Sequence, residues 1–317
     1  MKESNYISPL IKFSLREPKK EERKISYSQY AMYAKCPKSW ELAYAKGLRT
    51  FQQSIHTLFG TAFHETLQTY LTVMYTESIK AADQLPLHTM LSDAMKAEYK
   101  KSLDNGVEHF TTKDQMGEFY THGTEILDWI KRKRSAYFTN KNWELVGIEV
   151  PICHPVSEEH SHIMMIGFLD VVLRNTVTDE IVIMDIKTST MGWNKYQKAD
   201  KLKAQQLVLY KEFYAKQFDV DPNKIHIEYF IVKRQLVEGA MFPQKRVQQF
   251  RPASGKPTRN KLNRDLFQFI ESSFNKDGSY KLDKEYPAVG GKGLKHCKYC
   301  EFAGNEDLCP KAKRIRE

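Results

Sequence analysis

The sequence predicts an α/β protein with a mixed sheet near the middle of the chain and helices on either side of it. Residues 144–153, 163–174 and 180–187 are short, apolar and rich in β-branched side chains, and polar turns such as 175–179 separate them. They read as three consecutive strands. Residues 204–218 carry apolar side chains at helical spacing and residues 225–233 return to strand character, which gives the order β-β-β-α-β. Before residue 143 the apolar positions recur every three or four residues instead, so the sheet is fronted by helices.

Taken in order, residues 1–24 mix charge with few apolar anchors and are expected to form a loosely held arm. Residues 25–79 read as helices. Ser26 or Ser28 can cap the first, Gly47 can stop it, and a second is expected to start near Gly60, with Phe63, Leu67, Tyr70, Leu71 and Met74 along one face. Residues 80–140 are charged and helix-prone, and read as a helical insertion. The sheet core is assigned to 141–250. Residues 251–317 contain a basic loop, a helix around 262–274 and a glycine-rich tail bearing cysteines.

The 317 residues are 41% hydrophobic and 28% charged, enough to bury one large core or two modest ones. No stretch approaches the roughly 18–20 apolar residues of a membrane helix. The N-terminus is charged where a signal peptide needs an apolar run, so the chain is expected inside the cell, in the cytoplasm of a bacterial or phage-infected cell, with no membrane partner. The formal charge of +10 suits polyanions without choosing among them. Runs such as Lys131–Lys133 with Arg134 read first as solvated surface and only otherwise as phosphate contacts.

The second strand ends in Gly167-Phe168-Leu169-Asp170 and the third in Asp185-Ile186-Lys187. Alternation puts Asp185 and Lys187 on one face of their strand and Ile186 on the other. If these strands form a hairpin, Asp170 comes alongside Asp185. Two carboxylates and an ammonium at strand ends are what metal-assisted phosphodiester hydrolysis needs, although a turn aspartate beside a strand-end ion pair would read the same way. Glu149, in the preceding strand, is either a further acid of the site or an ordinary strand residue.

Cys297-Lys298-Tyr299-Cys300, then Cys309-Pro310, make a compact group, and Cys36-Pro37 supplies a fourth thiol far upstream. Five cysteines in a chain read as intracellular argue against a disulfide framework. A zinc ribbon usually brings two Cys-x-x-Cys knuckles, whereas one such pair with two separate Cys-Pro units fits a [4Fe–4S] cluster better; zinc remains the alternative. Cys153 lies in a strand and is expected to be buried rather than ligating.

Four short motifs then fall in one order. Gly60-Thr61-Ala62-Phe63-His64 is followed by Gly167 to Asp170, by Asp185-Ile186-Lys187, and by Gln206-Leu207-Val208-Leu209-Tyr210. Together they resemble the RecB-like branch of the PD-(D/E)XK nuclease superfamily, which includes Cas4-like and AddB-like nucleases. The resemblance implies a restriction-endonuclease-like core and metal ligation by His64, Asp170, Asp185 and the Ile186 carbonyl, with Mg²⁺ or Mn²⁺. Lys187, Gln206 and Tyr210 join Asp170 and Asp185 as catalytic residues. It also implies a [4Fe–4S] cluster on Cys36, Cys297, Cys300 and Cys309 that joins chain start to chain end.

The implied activity is a deoxyribonuclease, an exonuclease acting on DNA ends with single-stranded character in recombination, repair or CRISPR-type processing. A Cas4-like endonuclease within a larger complex and an inactive DNA-binding scaffold are the alternatives. No Gly-x-x-x-x-Gly-Lys-Ser/Thr loop occurs, so no helicase motor of that type is expected in this chain, and a helicase or a CRISPR or recombination protein is a candidate partner. The superfamily's eponymous proline is missing before Asp170, where the residue is Leu169.

Overall fold

Helical and extended segments alternate along the computed structural model, which describes residues 6–50, 52–107 and 109–316. In chain order they are α1 (Pro9–Lys12), β1 (Arg23–Ser26), α2 (Tyr27–Lys35), α3 (Pro37–Trp40), α4 (Ile55–Thr76), α5 (Ile79–Asp83), α6 (Leu87–Asp104) and α7 (Lys113–Lys133). Then follow β2 (Trp143–Pro155), β3 (Ile163–Asn175), β4 (Ile181–Ser189), α8 (Lys195–Ala199), α9 (Lys201–Phe218), β5 (Ile225–Lys233), β6 (Val247–Phe250) and α10 (Lys256–Ser273). Two short strands, β7 (Ala288–Val289) and β8 (Arg314–Ile315), close the list.

Six strands form one mixed sheet in the order β1-β3-β4-β5-β6, with β2 also paired to β3. β3 and β4 are antiparallel, β4 and β5 parallel, and β5 and β6 antiparallel. The β3–β4 hairpin and the β-β-β-α-β order therefore stand as the sequence predicts. β1, β6, β7 and β8 are too short to leave a periodic signal in the sequence.

Contacts divide the chain into two units. The first holds residues 1–15, 52–151 and 168–254, and the second 16–51, 152–167 and 255–317. In the first, α4 presents Leu58, Phe59, Phe63, Leu67, Tyr70 and Leu71 to a core shared with Leu91, Phe119, Ile126 and Ile130 and with the strand residues Val171, Ile186 and Phe230. α4 begins at Ile55, five residues before the position expected from the apolar spacing. The reason is Ser54, whose side chain accepts the Thr57 N–H and caps the helix ahead of Gly60. Gly60 therefore lies inside α4.

In the second unit, β1 pairs in parallel with residues 163–166 of β3. Trp40 is fully buried among Tyr33, Phe269, Phe274, Tyr280 and Tyr286, and these ring contacts, edge-on except for the tilted Tyr286, hold α3 to α10. Ser26 supplies the α2 cap, accepting from the Gln29 N–H.

Within the expected arm, residues 6–24 make ordered contacts. Ser8 donates its N–H to the Val146 carbonyl at 2.8 Å, Ile11 is buried, and Arg23–Ser26 is a strand; residues 1–5 lie outside the described residues. Backbone pairing compensates here for the shortage of apolar side chains. Among the described residues no helix is long and apolar enough to cross a membrane.

Candidate active site

Antiparallel pairing of β3 with β4 runs from Arg174↔Ile181 to Val171↔Met184 and stops one step short of Asp170 and Asp185. There a side chain takes over from the backbone, since the Ile186 N–H donates to Asp170 Oδ2 at 2.7 Å. The same register sets Asp170 and Asp185 next to each other at the point where the ladder opens.

Three elements of the first unit bring a metal-ligand set to this opening. His64 from α4, Glu149 from β2 and Asp170 from β3 each offer a ligand atom, and the three atoms lie within 4.8 Å of one another. His64 Nδ1 stands 3.6 Å from Asp170 Oδ2, too long for a hydrogen bond but suitable for two ligands of one ion. His64 also makes a backbone hydrogen bond to Ile186, and burial pushes its pKa down, with the Lys187 charge adding to the effect. It is therefore a neutral imidazole, the form that ligates metals.

Glu149 is the residue that sequence reading left undecided. Its backbone sits at φ 50, the left-handed region, inside an otherwise extended strand. The kink is held from α4, where Gln68 Nε2 donates to Glu149 Oε1 at 2.7 Å and to the Asp170 carbonyl at 3.2 Å. Gln68 was not anticipated from the sequence. The available signal was its spacing of one helical turn from His64, which puts both on one face of α4.

Asp185 and Lys187 form the second part of the site. Lys187 Nζ lies 3.0 Å from Asp185 Oδ1, which accepts its hydrogen bond, and 2.8 Å from Oδ2. Oδ2 is buried and has no oriented donor of its own. Of the side-chain ligands expected from the sequence, His64 and Asp170 join Glu149 in the trio, while Asp185 stands outside it in the ion pair with Lys187.

Burial dominates the titration of both acids. It pushes Asp170 up to about 7, against the lowering pull of Lys187, and Asp185 up to about 6. Burial lowers the Lys187 pKa, but Asp185 and Asp170 together outweigh it and hold the ammonium above the ordinary lysine value. Lys187 is therefore a fixed cation. From α9, Tyr210 reaches the electrostatic range of Asp185 and Lys187, is pushed up by burial, and accepts from Gln206 Nε2 at 3.4 Å. The structure thus brings together His64, Asp170, Asp185, Ile186, Lys187, Gln206 and Tyr210, and adds Glu149 and Gln68.

The second unit holds all the cysteines. Cys36, between α2 and α3, accepts the Val289 N–H on Sγ at 3.3 Å, and burial raises its thiol pKa, with Cys300 and Cys309 adding to the shift. Ser39 Oγ is 3.8 Å from Cys300 Sγ. A Cβ on Gly290 would lie 3.6 Å from Cys297 Sγ, so the end of β7 and the residue after it approach both Cys36 and Cys297. Cys153 is buried at 3% exposure in β2, as expected.

Comparison with known proteins bears on this geometry in one respect. No curated protein gives a significant match. Among solved structures, a candidate exonuclease from Eubacterium rectale is similar at 12% sequence identity and a TM-score of 0.44, covering 82% of this chain and 84% of that one. A likeness that distant bears on neither fold nor chemistry. Residues 24–309, which contain the trio, the ion pair and all five cysteines, match the family model of the PD-(D/E)XK nuclease superfamily, and the chain belongs to that superfamily.

Proposed function

We propose that the chain is a metal-dependent deoxyribonuclease that hydrolyses phosphodiester bonds at DNA ends with single-stranded character. One observation carries the reading: His64, Glu149 and Asp170 converge on one point beside the Asp185–Lys187 pair. A nitrogen and two carboxylates are a donor set for Mg²⁺ or Mn²⁺, and the undonated Asp185 Oδ2 and the Ile186 carbonyl offer further oxygens. A divalent ion held there would neutralise phosphate charge and make water a better nucleophile.

The chain's own groups do the rest. Lys187, held as a cation by Asp185, offers its protons to the scissile phosphate, where negative charge grows as the phosphorus–oxygen bond breaks. Tyr210, held as a neutral phenol by burial, is a donor for the same charge, and Gln206 orients it. Gln68 keeps the Glu149 carboxylate turned toward the trio.

Cys36, Cys297, Cys300 and Cys309 would hold a [4Fe–4S] cluster. The Val289 N–H on Cys36 Sγ and the Ser39 hydroxyl beside Cys300 Sγ are the polar contacts that cluster thiolates receive. Its contribution would be structural, closing a loop of more than two hundred residues whose ends are otherwise costly to bring together. The activity fits recombination, repair or CRISPR-type DNA processing beside a partner that unwinds the duplex.

Digestion of end-labelled linear and of circular DNA, single- and double-stranded, in Mg²⁺, Mn²⁺ or EDTA tests the reading. Metal-dependent loss of linear single strands with circles left intact is the expected result. Nicked circles would make the enzyme an endonuclease, and no cleavage of any substrate would overturn the assignment.

A further inference from the structure

The segment that joins β4 to α9 has chemistry that the hydrolytic site does not use. In the β4–β5 register Asp185 pairs with Tyr229, and in the β5–β6 register Tyr229 pairs with Phe250. The sheet thus continues the site's own row into two aromatic rings, one strand spacing apart at about 4.8 Å. Tyr229 and Phe250 lie parallel, with centroids 6.2 Å apart and planes 12° apart. Trp193 packs over both, at 4.8 Å from Tyr229 and 6.1 Å from Phe250.

The segment is mounted firmly on this row. The Trp193 N–H donates to Gln248 Oε1 at 2.8 Å, and Gln248 Nε2 donates back to the Trp193 carbonyl at 3.1 Å. Asn194 then starts α8 with a reciprocal capping box. The outer surface of the mount is aromatic and basic: Tyr196 is 73% exposed and Met191 55% exposed. Lys195 lies over the Tyr196 ring, Lys198 over Phe250 and Lys203 over Trp193. Among the described residues, Lys195, Lys198, Lys201 and Lys203 take part in no ion pair.

The geometry points to residues 191–203 as a stacking platform for single-stranded DNA, which leads the strand over Tyr196 toward Asp185. This inference rests on the nuclease reading and adds the path that its substrate takes. An exposed ring fixed on a rigid mount offers a face to any base, and unpaired ammonium groups on both sides track the phosphates without reading sequence. A duplex has its base faces covered, so Tyr196 favours an unpaired strand. An acidic protein segment would engage the lysines but would gain nothing from the ring.

The test uses the full chain in EDTA, where metal-dependent hydrolysis is suppressed, with a dodecamer of thymidylate as probe and tryptophan emission as readout. Binding should quench emission in the wild-type chain and leave it unchanged in Trp193→Phe. Tyr196→Ala should weaken binding by roughly tenfold or more, and Tyr196→Phe should restore it, because the ring and not the hydroxyl does the stacking. Replacing Lys195, Lys198 and Lys201 by alanine should flatten the dependence of log K on log salt by about 2, from about 0.7 for each phosphate on a single strand. Polyglutamate of equal charge should bind at least tenfold more weakly than the oligonucleotide.

Unchanged affinity in Tyr196→Ala, with an unchanged salt slope in the triple variant, would overturn the platform, as would equal binding of polyglutamate. Cleavage of labelled DNA in Mg²⁺ is followed in parallel. A chain that cleaves normally with Tyr196→Ala loses the platform and keeps the nuclease reading, whereas one that binds as described but never cleaves loses the nuclease reading alone.

Discussion

Replacing Asp170 by asparagine should stabilise the metal-free protein at alkaline pH while removing its response to Mg²⁺. Burial raises the Asp170 carboxyl from 3.8 to about 7, about three units. At about 1.4 kcal/mol per unit, ionising it in the folded chain at pH 8 carries a penalty of about 4 kcal/mol. Asparagine has no charge to bury and keeps an oxygen for the Ile186 N–H, but its amide N–H groups need partners that the carboxylate did not, so the net gain should be about 2 kcal/mol.

For a unit of about this size, a gain of that order is roughly 4–8 °C in Tm. The sign follows from proton linkage. The unfolded carboxyl ionises near 4 and the folded one near 7, so the stability conferred by the bound proton is present in full below pH 4 and is lost as pH rises to 7. Melts of both proteins in EDTA from pH 5 to 9 should therefore show a difference in Tm that grows up to about pH 7 and then levels. Added Mg²⁺ should raise the Tm of the wild-type chain alone. A lower Tm for Asp170→Asn at pH 8 in EDTA, or equal stabilisation of both proteins by Mg²⁺, would refute the reasoning.

Further outcomes follow from the same geometry. Lys187→Ala should lose DNA hydrolysis and still bind Mn²⁺ in calorimetry, because the ammonium contacts Asp185 and is not itself a ligand. Glu149→Gly should relieve the left-handed backbone, raising stability by about 1 kcal/mol in denaturant titration, while metal affinity falls at least tenfold. Cys36→Ala should lower iron content, from about four irons per chain, together with thermal stability, whereas Cys153→Ala should change neither beyond a small packing loss.

Much of the sheet was legible because burial on two faces demands β-branched runs. Residues 163–174 were read against an observed strand of Ile163–Asn175, and 225–233 against Ile225–Lys233. Helix starts were less legible, as α4 shows: Ser54 and its bond to Thr57 fix the start, and a serine in a polar stretch is a weak signal beside a row of apolar residues. The division into two units left no mark in composition, since β2 and β3 each contribute residues to both. A strand's side-chain alternation does not change where its contacts do.

At the site, the Asp185–Lys187 pair follows from strand alternation alone, and Asp170 from the assumption of a hairpin. His64 needed the family resemblance, because a single histidine on a helix says little. Glu149 was ambiguous for a physical reason: its orientation depends on a left-handed residue within β2, and regular alternation carries no information about such a kink.

The central claim is that His64, Glu149 and Asp170 hold a divalent ion beside Asp185 and Lys187. Anomalous diffraction from crystals grown with Mn²⁺ tests it most directly. The account predicts one strong peak bonded to a His64 ring nitrogen and to carboxylate oxygens of Glu149 and Asp170, at about 2.0–2.3 Å. A peak bound elsewhere, or full occupancy retained in a Glu149→Ala, Asp170→Ala double variant, would contradict it.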